Sequence, residues 1–389
     1  MSESSIFEKV LFVGMDYKVP KGGIASVLNT YSTFIHPFKF VRIAAIELNN
    51  VQKVWYAVSG YLLLIWKLFT DRKIEIVHIH SASGTSFWRK KYAIKIAKMM
   101  GKKVVFHCHG GGFKEFRLSN IKKVDAILAI VDCVVCLSGE WNNYFQSIGC
   151  RHIVTIRNVI REPNIENVEK NGLVHFLFLG LICDNKGIFN VLKAIGDHKQ
   201  ELQNRIVLHI GGNGETDRLL SIIKELGIET LVRFEGWVDK EKKQYLLNLA
   251  DVYILPSFIE GVPISILEAE SYHKPVITTN VGGIPSIVQD RVSGVFVTPG
   301  NDKEIYLAMK MMAESEELRQ KYGEASYRIS RDSDCYCVRT LLSKMAVNFG
   351  LLQRRETGLH LVSQFHCWRN KITIDNTTRN NKGTVCMNM

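Results

Sequence analysis

The feature that most constrains the fold of this chain is a repeated alternation of short, β-branched apolar runs with stretches of helical spacing. The runs KVLFVGM, IEIVHIHS, KVVFHCHGG and CVVCLS occur in the first half, and a second series from VHFLFLG to GVFVTPG follows in the second half. Strands that alternate with helices are typical of βαβ units and a parallel sheet. The sequence therefore predicts an α/β protein with two doubly wound parallel-sheet domains.

The alternation pauses once, at the polar stretch REPNIENVEKNG, which has no periodicity. A chain of 389 residues is longer than one hydrophobic core usually supports, so two domains are expected. After about residue 350 the pattern dissolves into a segment rich in Asn, Thr, Arg and Lys, which is typical of a poorly ordered tail. The predicted organisation is a first domain over 1–160, a linker over 161–172, a second domain over 173–333 and a basic tail over 351–389.

The formal net charge of +12 is concentrated in the first half of the chain. Residues 1–160 carry a net charge of +12, residues 161–349 carry −4 and the tail carries +4. A basic half beside a mildly acidic one indicates that the first half meets something anionic, such as a membrane surface, a phosphorylated substrate or nucleic acid.

Cysteine usage and hydropathy bear on the compartment. The nine cysteines are odd in number and scattered, which favours a reducing, cytoplasmic setting over a disulfide framework. Cys133 and Cys136 lie in a strand-like run, where buried structural cysteines are a better interpretation than a metal or redox site. No signal peptide is evident at the start. The apolar segment Val54 to Phe69 is too short to span a membrane and is expected to form a buried or interfacial helix.

The loops that follow the strands carry the candidate binding residues, because ligands of such folds sit at the carboxyl ends of the strands. Gly22 and Gly23 precede a helix and would let a phosphate approach its free N–H groups. The string HGGG places His109 at another strand end, and the chain has no G-x-S-x-G nucleophile elbow that would make it an esterase loop. Lys186 stands at a helix start, where its charge suits a diphosphate.

Two further strand ends complete the predicted site. Gly211 and Gly212 are placed to flank a nucleotide base. In PSFIEGVPISILEAE, Glu260 falls in a loop, Pro263 fits the first position of a helix, and Glu268 lies more than one turn into that helix. The two carboxylates therefore flank an anion-binding helix start. This arrangement suits a nucleotide sugar, with its sugar, diphosphate and ribose in line.

The stretch EGVPISILE, followed by SYHKPVITTNVGGIPSIVQDRVSGVFVTPGN, resembles the donor-site signature of the retaining family 4 glycosyltransferases. The resemblance covers roughly residues 10–345. It implies the GT-B fold, in which two Rossmann-like domains face each other across a cleft, and a helix over 334–350 that crosses back to the first domain. It also implies an enzyme that moves a sugar from a nucleotide-diphosphate-sugar to a glycan or a polyprenyl-linked acceptor, as in bacterial surface polysaccharide synthesis.

The resemblance also implies roles for individual residues. Three are catalytic: Glu260 would contact the donor sugar near the reacting carbon, His109 would bind the transferred sugar, and Lys186 would neutralise the leaving diphosphate. The others bind the donor, with Glu268 on the ribose and the remainder around the diphosphate and base: Gly22, Gly23, Gly211, Gly212, Gly261, Val262, Pro263 and Ile264. No nucleophile is assigned. No metal or cofactor is expected, since a lysine and helix dipoles stand in for a divalent cation.

One departure from the family pattern concerns the cationic side of the site. The family usually has an arginine where this sequence has Leu181. Either another basic residue takes its place or turnover is weak or altered, so a member that binds a donor without turning it over stays open. A nucleotide-sugar epimerase on the same fold is a further alternative. UDP-, GDP- and ADP-sugars are all compatible with the sequence.

The basic first half has a candidate partner in this context. The segment Arg89 to Lys103 carries seven cations on and just beyond one helix, which predicts attraction to an anionic membrane surface, against the alternative of a solvated helix face. A peripheral position on the inner face of the cell membrane would follow. Nucleic acid is not expected as a partner, because the aromatic residues are not interleaved with the cations as a stacking platform requires.

Overall fold

The computed structural model describes residues 6–18, 22–45 and 49–348, except for the side chains of Asn50 and of residues 346–348. The chain divides into two units, Met1–Arg354 and Arg355–Met389. All described residues belong to the first unit, so the predicted tail over 351–389 lies outside them.

The first half of the chain forms a six-stranded sheet in which every strand pair is parallel. The β-branched runs form the strands, and the segments of helical spacing form the connections between them. The elements are β1 (Val10–Met15), α1 (Gly23–Phe34), β2 (Lys39–Ala44), α2 (Asn50–Thr70), β3 (Ile76–Ser81), α3 (Thr85–Met99), β4 (Lys103–Cys108), α4 (Phe113–Leu118), α5 (Ile121–Leu128), β5 (Cys133–Cys136), α6 (Gly139–Ser147) and β6 (Ile153–Thr155).

The second half repeats this architecture with a second parallel six-stranded sheet. Short 3-10 turns at Asp184–Lys186, Ile284–Ser286 and Arg331–Ser333 supplement the helices. The elements are β7 (Val174–Leu179), α7 (Ile188–Asp197), α8 (Lys199–Leu202), β8 (Ile206–Gly211), α9 (Thr216–Leu226), β9 (Val232–Gly236), α10 (Lys240–Leu249), β10 (Val252–Leu255), α11 (Ile264–Ser271), β11 (Val276–Thr279), β12 (Gly294–Val297), α12 (Asp302–Glu314), α13 (Glu316–Ser330) and α14 (Cys335–Asn348).

The order of the strands decides where a ligand can enter. The first sheet runs β2-β1-β3-β4-β5-β6 and the second runs β12-β11-β10-β7-β8-β9. The direction of winding reverses between β1 and β3 in the first sheet and between β7 and β10 in the second. At such a switch point the loops diverge and leave a crevice at the carboxyl ends of the strands. The predicted class of two doubly wound α/β domains is confirmed.

The last described helix packs on the first domain although it follows the second in sequence. Val338, Leu342 and Met345 of α14 belong to the same buried cluster as Phe7 and Phe12. Upstream, the amide of Ile160 donates to the carbonyl of Ser333 at 2.9 Å. The chain therefore passes between the domains twice, side by side, while the predicted domain boundaries themselves stay predictions.

The basic helix α3 is less available to a partner than its sequence indicates. Lys90 is fully buried and donates to Ser86 Oγ at 3.3 Å, and burial lowers its pKa to about 7. Lys98 and Lys103 both contact the carboxylate of Asp132, at 2.8 and 3.3 Å. Burial removes Lys90 from the predicted basic surface, whereas Lys103 keeps half of its side chain exposed. The attraction of this segment to an anionic membrane surface stays a prediction.

The apolar segment at residues 54–69 lies within α2 and is neither wholly buried nor a membrane span. Ala57, Leu64 and Leu68 are buried, whereas Trp55 and Trp66 are mostly exposed. None of the helices in the described part of the chain combines the length and apolarity that crossing a membrane requires.

Candidate functional site

The two switch points face each other across a cleft of about 650 Å³. Loops after β1, β3 and β4 line one wall, and loops after β7, β8 and β10 line the other. All of the site residues predicted from the sequence lie on this cleft: Gly22, Gly23, His109, Lys186, Gly211, Gly212, Glu260, Gly261, Val262, Pro263, Ile264 and Glu268. Their roles in catalysis or donor binding stay predictions. A second cavity of about 480 Å³ adjoins the cleft and shares Glu268 with it.

Glu260 occupies the loop between β10 and α11, at the carboxyl end of a central strand. Its side chain is 8% exposed. The carboxylate accepts from Ser257 Oγ at 2.8 Å and from the ammonium of Lys186 at 2.5 Å. The loop ends at Pro263, which has extended backbone angles and is the N-cap of α11. The prediction that this proline is the first residue of the helix is therefore wrong by one residue.

Lys186 reaches Glu260 from the neighbouring switch-point strand, β7. It ends the 3-10 turn Asp184–Lys186, and Gly187 with a φ of 69° then directs the chain into α7. A Cβ on Gly187 would clash with the backbone of Pro256, so a glycine is required where the two loops touch. The lysine predicted to meet a diphosphate is thus held beside the carboxylate predicted to meet the sugar.

Glu268 has a cationic partner that the sequence did not indicate. Lys243 of α10 donates to its carboxylate at 2.5 Å and also lines the cleft. Leu181, at the position where an arginine was expected, lines the same cleft and is 51% exposed. Among the described residues of the lining, Lys243 and Lys186 are therefore the lysines available to an anion, and each is paired with a carboxylate.

Glycines bring the backbone of both domains close to the cleft. Gly22 has a φ of 89° and precedes α1, and a Cβ on Gly23 would lie 3.8 Å from Ile264 Cδ1 at the start of α11. The starts of two helices therefore face each other across the cleft. On the far wall, a Cβ on Gly212 would overlap the carbonyl of Gly180. The positive φ at Gly22 and the close approach at Gly212 require glycine at these two positions.

The HGGG loop forms a backbone contact between the domains. A Cβ on Gly111 would overlap the carbonyl of Glu260 and lie 2.6 Å from the amide nitrogen of Gly261. In return, a Cβ on Gly261 would lie 2.8 Å from the carbonyl oxygen of His109. A glycine is therefore required at position 111, because any side chain there would overlap the backbone of the second domain.

His109 takes part in a chain of hydrogen bonds that crosses the cleft. Asn158 donates from Nδ2 to the carbonyl of Val262 at 2.7 Å, which orients its Oδ1 toward His109 Nδ1 at 3.2 Å. Because this oxygen can only accept, Nδ1 of His109 carries the hydrogen. The other nitrogen, Nε2, then accepts from Nδ1 of His80 at 2.9 Å. Both ring nitrogens of His109 are thus occupied, and a bound sugar would have to displace Asn158 or His80 to reach them.

Behind His109 lies a stack of buried imidazoles on β3 and β4. His78, His80 and His107 lie with one ring nitrogen each within 4.8 Å of one another. Burial lowers the pKa of His109 to about 4 and that of His78 to about 3, and it places the pKa of His80 and His107 well below the ordinary value. The stack is therefore neutral at physiological pH. Within the described residues, the buried Nε2 atoms of His80 and His107 have no hydrogen-bond partner.

Acidification is expected to destabilise the protein through these histidines. Between pH 6.5 and about 4, His78 and His109 are protonated in the unfolded chain but stay neutral in the folded protein. The free energy of unfolding therefore falls by up to about 1.4 kcal/mol per pH unit for each of these two histidines as the pH decreases. Urea unfolding from pH 7.5 to 4.5 measures the slope. His78→Gln should make it shallower, with the exposed His36→Gln variant as the control; equal slopes in both variants would contradict the assignment.

Sequence reasoning missed several residues of the site. Asn158 lies at the end of the first domain, in a stretch without a glycine, and Lys243 lies one turn into a helix rich in lysine. Gly282, with a φ of 55°, packs against the carbonyl of Glu260. Its neighbour Gly283 donates from the backbone to Gly261 at 2.7 Å. The VGGIPS string was a usable signal for these two glycines.

Two parallel six-stranded sheets that face each other across a glycine-lined cleft define the GT-B class of folds. The family of glycosyl transferases group 1 matches residues 160–329, and glycosyltransferase family 4 matches residues 32–162. The two matches adjoin and together span most of the chain. The chain therefore belongs to the group 1, family 4 glycosyltransferases and is a transferase.

Individual proteins are similar to this chain over most of its length. An uncharacterized 41.2 kDa protein in the cps region of Klebsiella pneumoniae is 24% identical over 71% of this chain and 83% of its own length. The amylovoran biosynthesis glycosyltransferase AmsK of Erwinia amylovora is 24% identical over 69% and 67%. The structure of HepE from Anabaena in complex with UDP and glucose shares the fold, with a TM-score of 0.69, 15% identity and coverage of 86% of this chain and 98% of that chain.

Proposed function

We propose that this glycosyltransferase moves a sugar, with retention of configuration, from a nucleotide-diphosphate-sugar to a glycan or polyprenyl-linked acceptor in bacterial surface polysaccharide synthesis. The observation that carries the proposal is the Lys186–Glu260 pair, which lies between the loops of β7 and β10 and opposite the start of α1. A diphosphate beside Lys186 would leave the sugar next to Glu260. The relatives named for amylovoran synthesis and for a complex with UDP support the substrate class.

The residues present account for the steps of such a transfer. The bond from the anomeric carbon to the diphosphate oxygen breaks, a bond from that carbon to an acceptor hydroxyl oxygen forms on the same face, and the hydroxyl proton leaves with the diphosphate. Lys186 and the N–H groups at the starts of α1 and α11 stabilise the charge that develops on the leaving group. Glu260 orients the sugar hydroxyls. The proposed reaction requires no metal ion, because fixed dipoles and a lysine supply the positive potential.

A second candidate function is donor binding with weak or no turnover. It is favoured by Leu181, which is exposed in the cleft where a cation was expected, and by the engagement of Lys186 and Lys243 with carboxylates. In that case a donor would fill the cleft, but the leaving diphosphate would receive less stabilisation than in a relative with the arginine.

Donor binding is expected to raise the stability of the purified full-length protein. A sugar nucleotide at 100 times its dissociation constant should add about 2.7 kcal/mol to the free energy of unfolding. Thermal unfolding with UDP-, GDP- and ADP-sugars identifies the donor. Glu268→Gln should lose most of the shift, whereas Glu317→Gln, an exposed carboxylate in α13, should keep it. No shift with any of these donors would contradict the proposal.

Product analysis then separates the remaining possibilities. With the stabilising donor and a polyprenyl-diphosphate-linked saccharide as acceptor, a new α- or β-linkage that matches the donor's anomeric configuration supports retaining transfer. An altered donor without any acceptor product indicates an epimerase. A shift without any product, in the presence or absence of chelator, supports the second candidate. Steep, salt-dependent binding to nucleic acid is not expected.

A further inference from the structure

The long helix α2 of the first domain carries large apolar side chains on its outer face. Val51, Trp55, Leu62, Trp66 and Phe69 are 79%, 72%, 63%, 60% and 72% exposed. Their spacing of three, four and seven residues places them on one side of the helix. Exposed apolar surface of this extent is unusual for a soluble monomer and marks an interaction surface.

The opposite side of α2 is packed against the first domain and fixes the helix in place. Ala57, Leu64 and Leu68 are buried, and a Cβ on Gly60 would clash with the backbone of Arg42 in β2. With 21 residues and a rise of 1.5 Å per residue, α2 is about 30 Å long. The helix therefore presents a rigid apolar ridge rather than a segment that could leave the domain.

The chemistry around this ridge identifies its partner. Neither α2 nor its neighbour α3 contains an aspartate or glutamate. Lys53 of α2 and Lys95 of α3 are exposed. Lys91 of α3 lies 4.8 Å from the centre of the Tyr92 ring, and Tyr92 in turn packs against Tyr61 of α2. Apolar side chains bordered by cations, without carboxylates, match the boundary between lipid tails and anionic headgroups.

We propose that the outer face of α2, bordered by the lysines of α3, docks the first domain on an anionic lipid bilayer. A second copy of the chain is a poorer occupant, because two such faces would oppose like charges. The basic tail is disfavoured for the same reason. A bilayer satisfies both the apolar ridge and the positive border.

The outer face of α2 lies close to the cleft, which connects membrane docking to the proposed reaction. Tyr56 in α2 donates to Asp16, which directly follows β1, and the same connection leads to Gly22 and Gly23 on the cleft wall. A bilayer on α2 would thus lie beside the wall of the cleft that the first domain forms. This use rests on the proposed function, since it presents a lipid-linked acceptor to the site; the docking itself does not depend on it.

The test uses the full-length protein and vesicles of phosphatidylglycerol and phosphatidylcholine, with pure phosphatidylcholine vesicles for comparison. We expect sedimentation with the anionic vesicles, a blue shift of tryptophan fluorescence from Trp55 and Trp66, and weaker binding at high salt. Replacing Trp55, Trp66 and Phe69 by serine should lower the partition coefficient at least about tenfold. Lys53→Glu with Lys95→Glu should lower binding to anionic vesicles but not to neutral ones.

A matched control carries the same kind of change on the linker and the second domain. Ile165, Leu220 and Leu307 are also exposed, and replacing them by serine should leave vesicle binding unchanged. The proposal is overturned if the wild-type protein ignores anionic vesicles, if the α2 variant binds as the wild type does, or if the face instead drives dimerisation without lipid. Donor hydrolysis in solution should be equal in all of these variants, so failure of docking is distinguishable from failure of the proposed function.

Discussion

Replacing Lys186 or Glu260 by glutamine is expected to lower kcat for sugar transfer by about 10²–10³-fold. Lys186 would no longer stabilise the leaving diphosphate, and Glu260 would no longer accept from the sugar hydroxyls as a charged group. Steady-state transfer with the identified donor measures the effect. Lys193→Gln is the matched control, because Lys193 also pairs with a carboxylate, that of Asp302, but is 61% exposed and lies outside the cleft lining.

The double variant Lys186→Gln/Glu260→Gln separates catalysis from stability. Either single change leaves the other charge in a mostly buried pair without its counterion, which destabilises the fold. Removing both charges should restore most of that stability, since an amide pair can hydrogen-bond in the same place. Activity should stay low in the double variant. Recovery of transfer along with stability would mean that the pair is structural and that the donor binds elsewhere.

Replacing Gly111 by valine is expected to reduce the rate of transfer by about 10²-fold, because the added side chain would increase the distance between the domains. Any side chain at Gly111 would meet the backbone of Glu260 and Gly261, so the HGGG loop and the EGVP loop could no longer touch. Both sheets lie away from this contact, so circular dichroism should be unchanged. Transfer kinetics and small-angle scattering measure the loss of activity and the wider cleft.

The neighbouring residue provides an internal comparison. A Cβ on Gly112 would meet only Ser83 Oγ, at 3.9 Å, and Gly112 has a φ of −86°, which any residue can adopt. Gly112→Ala should therefore keep near wild-type activity, whereas Gly111→Ala should already lose part of it. Equal activity in these two alanine variants would show that the domains do not need this contact during turnover.

The fold was predictable because its signal is periodic. Runs of β-branched residues separated by helical spacing specify parallel strands and their crossovers, and parallel strands place their following loops at one edge. The order of strands and loops therefore predicts that Glu260, Lys186 and the glycines before α1 lie at the same cleft. The position of a residue after a strand is a local property of the sequence.

The residues that the sequence did not yield depend on contacts between distant segments. Asn158 matters because it meets His109 and Val262, which lie in different domains. The burial of Lys90 depends on how α3 packs, and its sequence resembles that of an exposed basic helix. In α2, an apolar run indicates burial, but which side chains are covered depends on β2 and on Gly60. Because α2 has apolar side chains on both sides, its hydropathy does not indicate which side the domain covers.

The hydrogen bonds of Asn158 also make the tautomer of His109, in the first domain, depend on the position of the second domain. If the cleft opens, Asn158 cannot hold the carbonyl of Val262 and the ring of His109 at once. Its amide is then free to turn, and the hydrogen on His109 is free to move from Nδ1 to Nε2, with His80 changing in step. The tautomers of His109 and His80 would thereby change when the two domains separate. Neutral histidines buried behind the proposed sugar site can change tautomer in this way without adding charge to it.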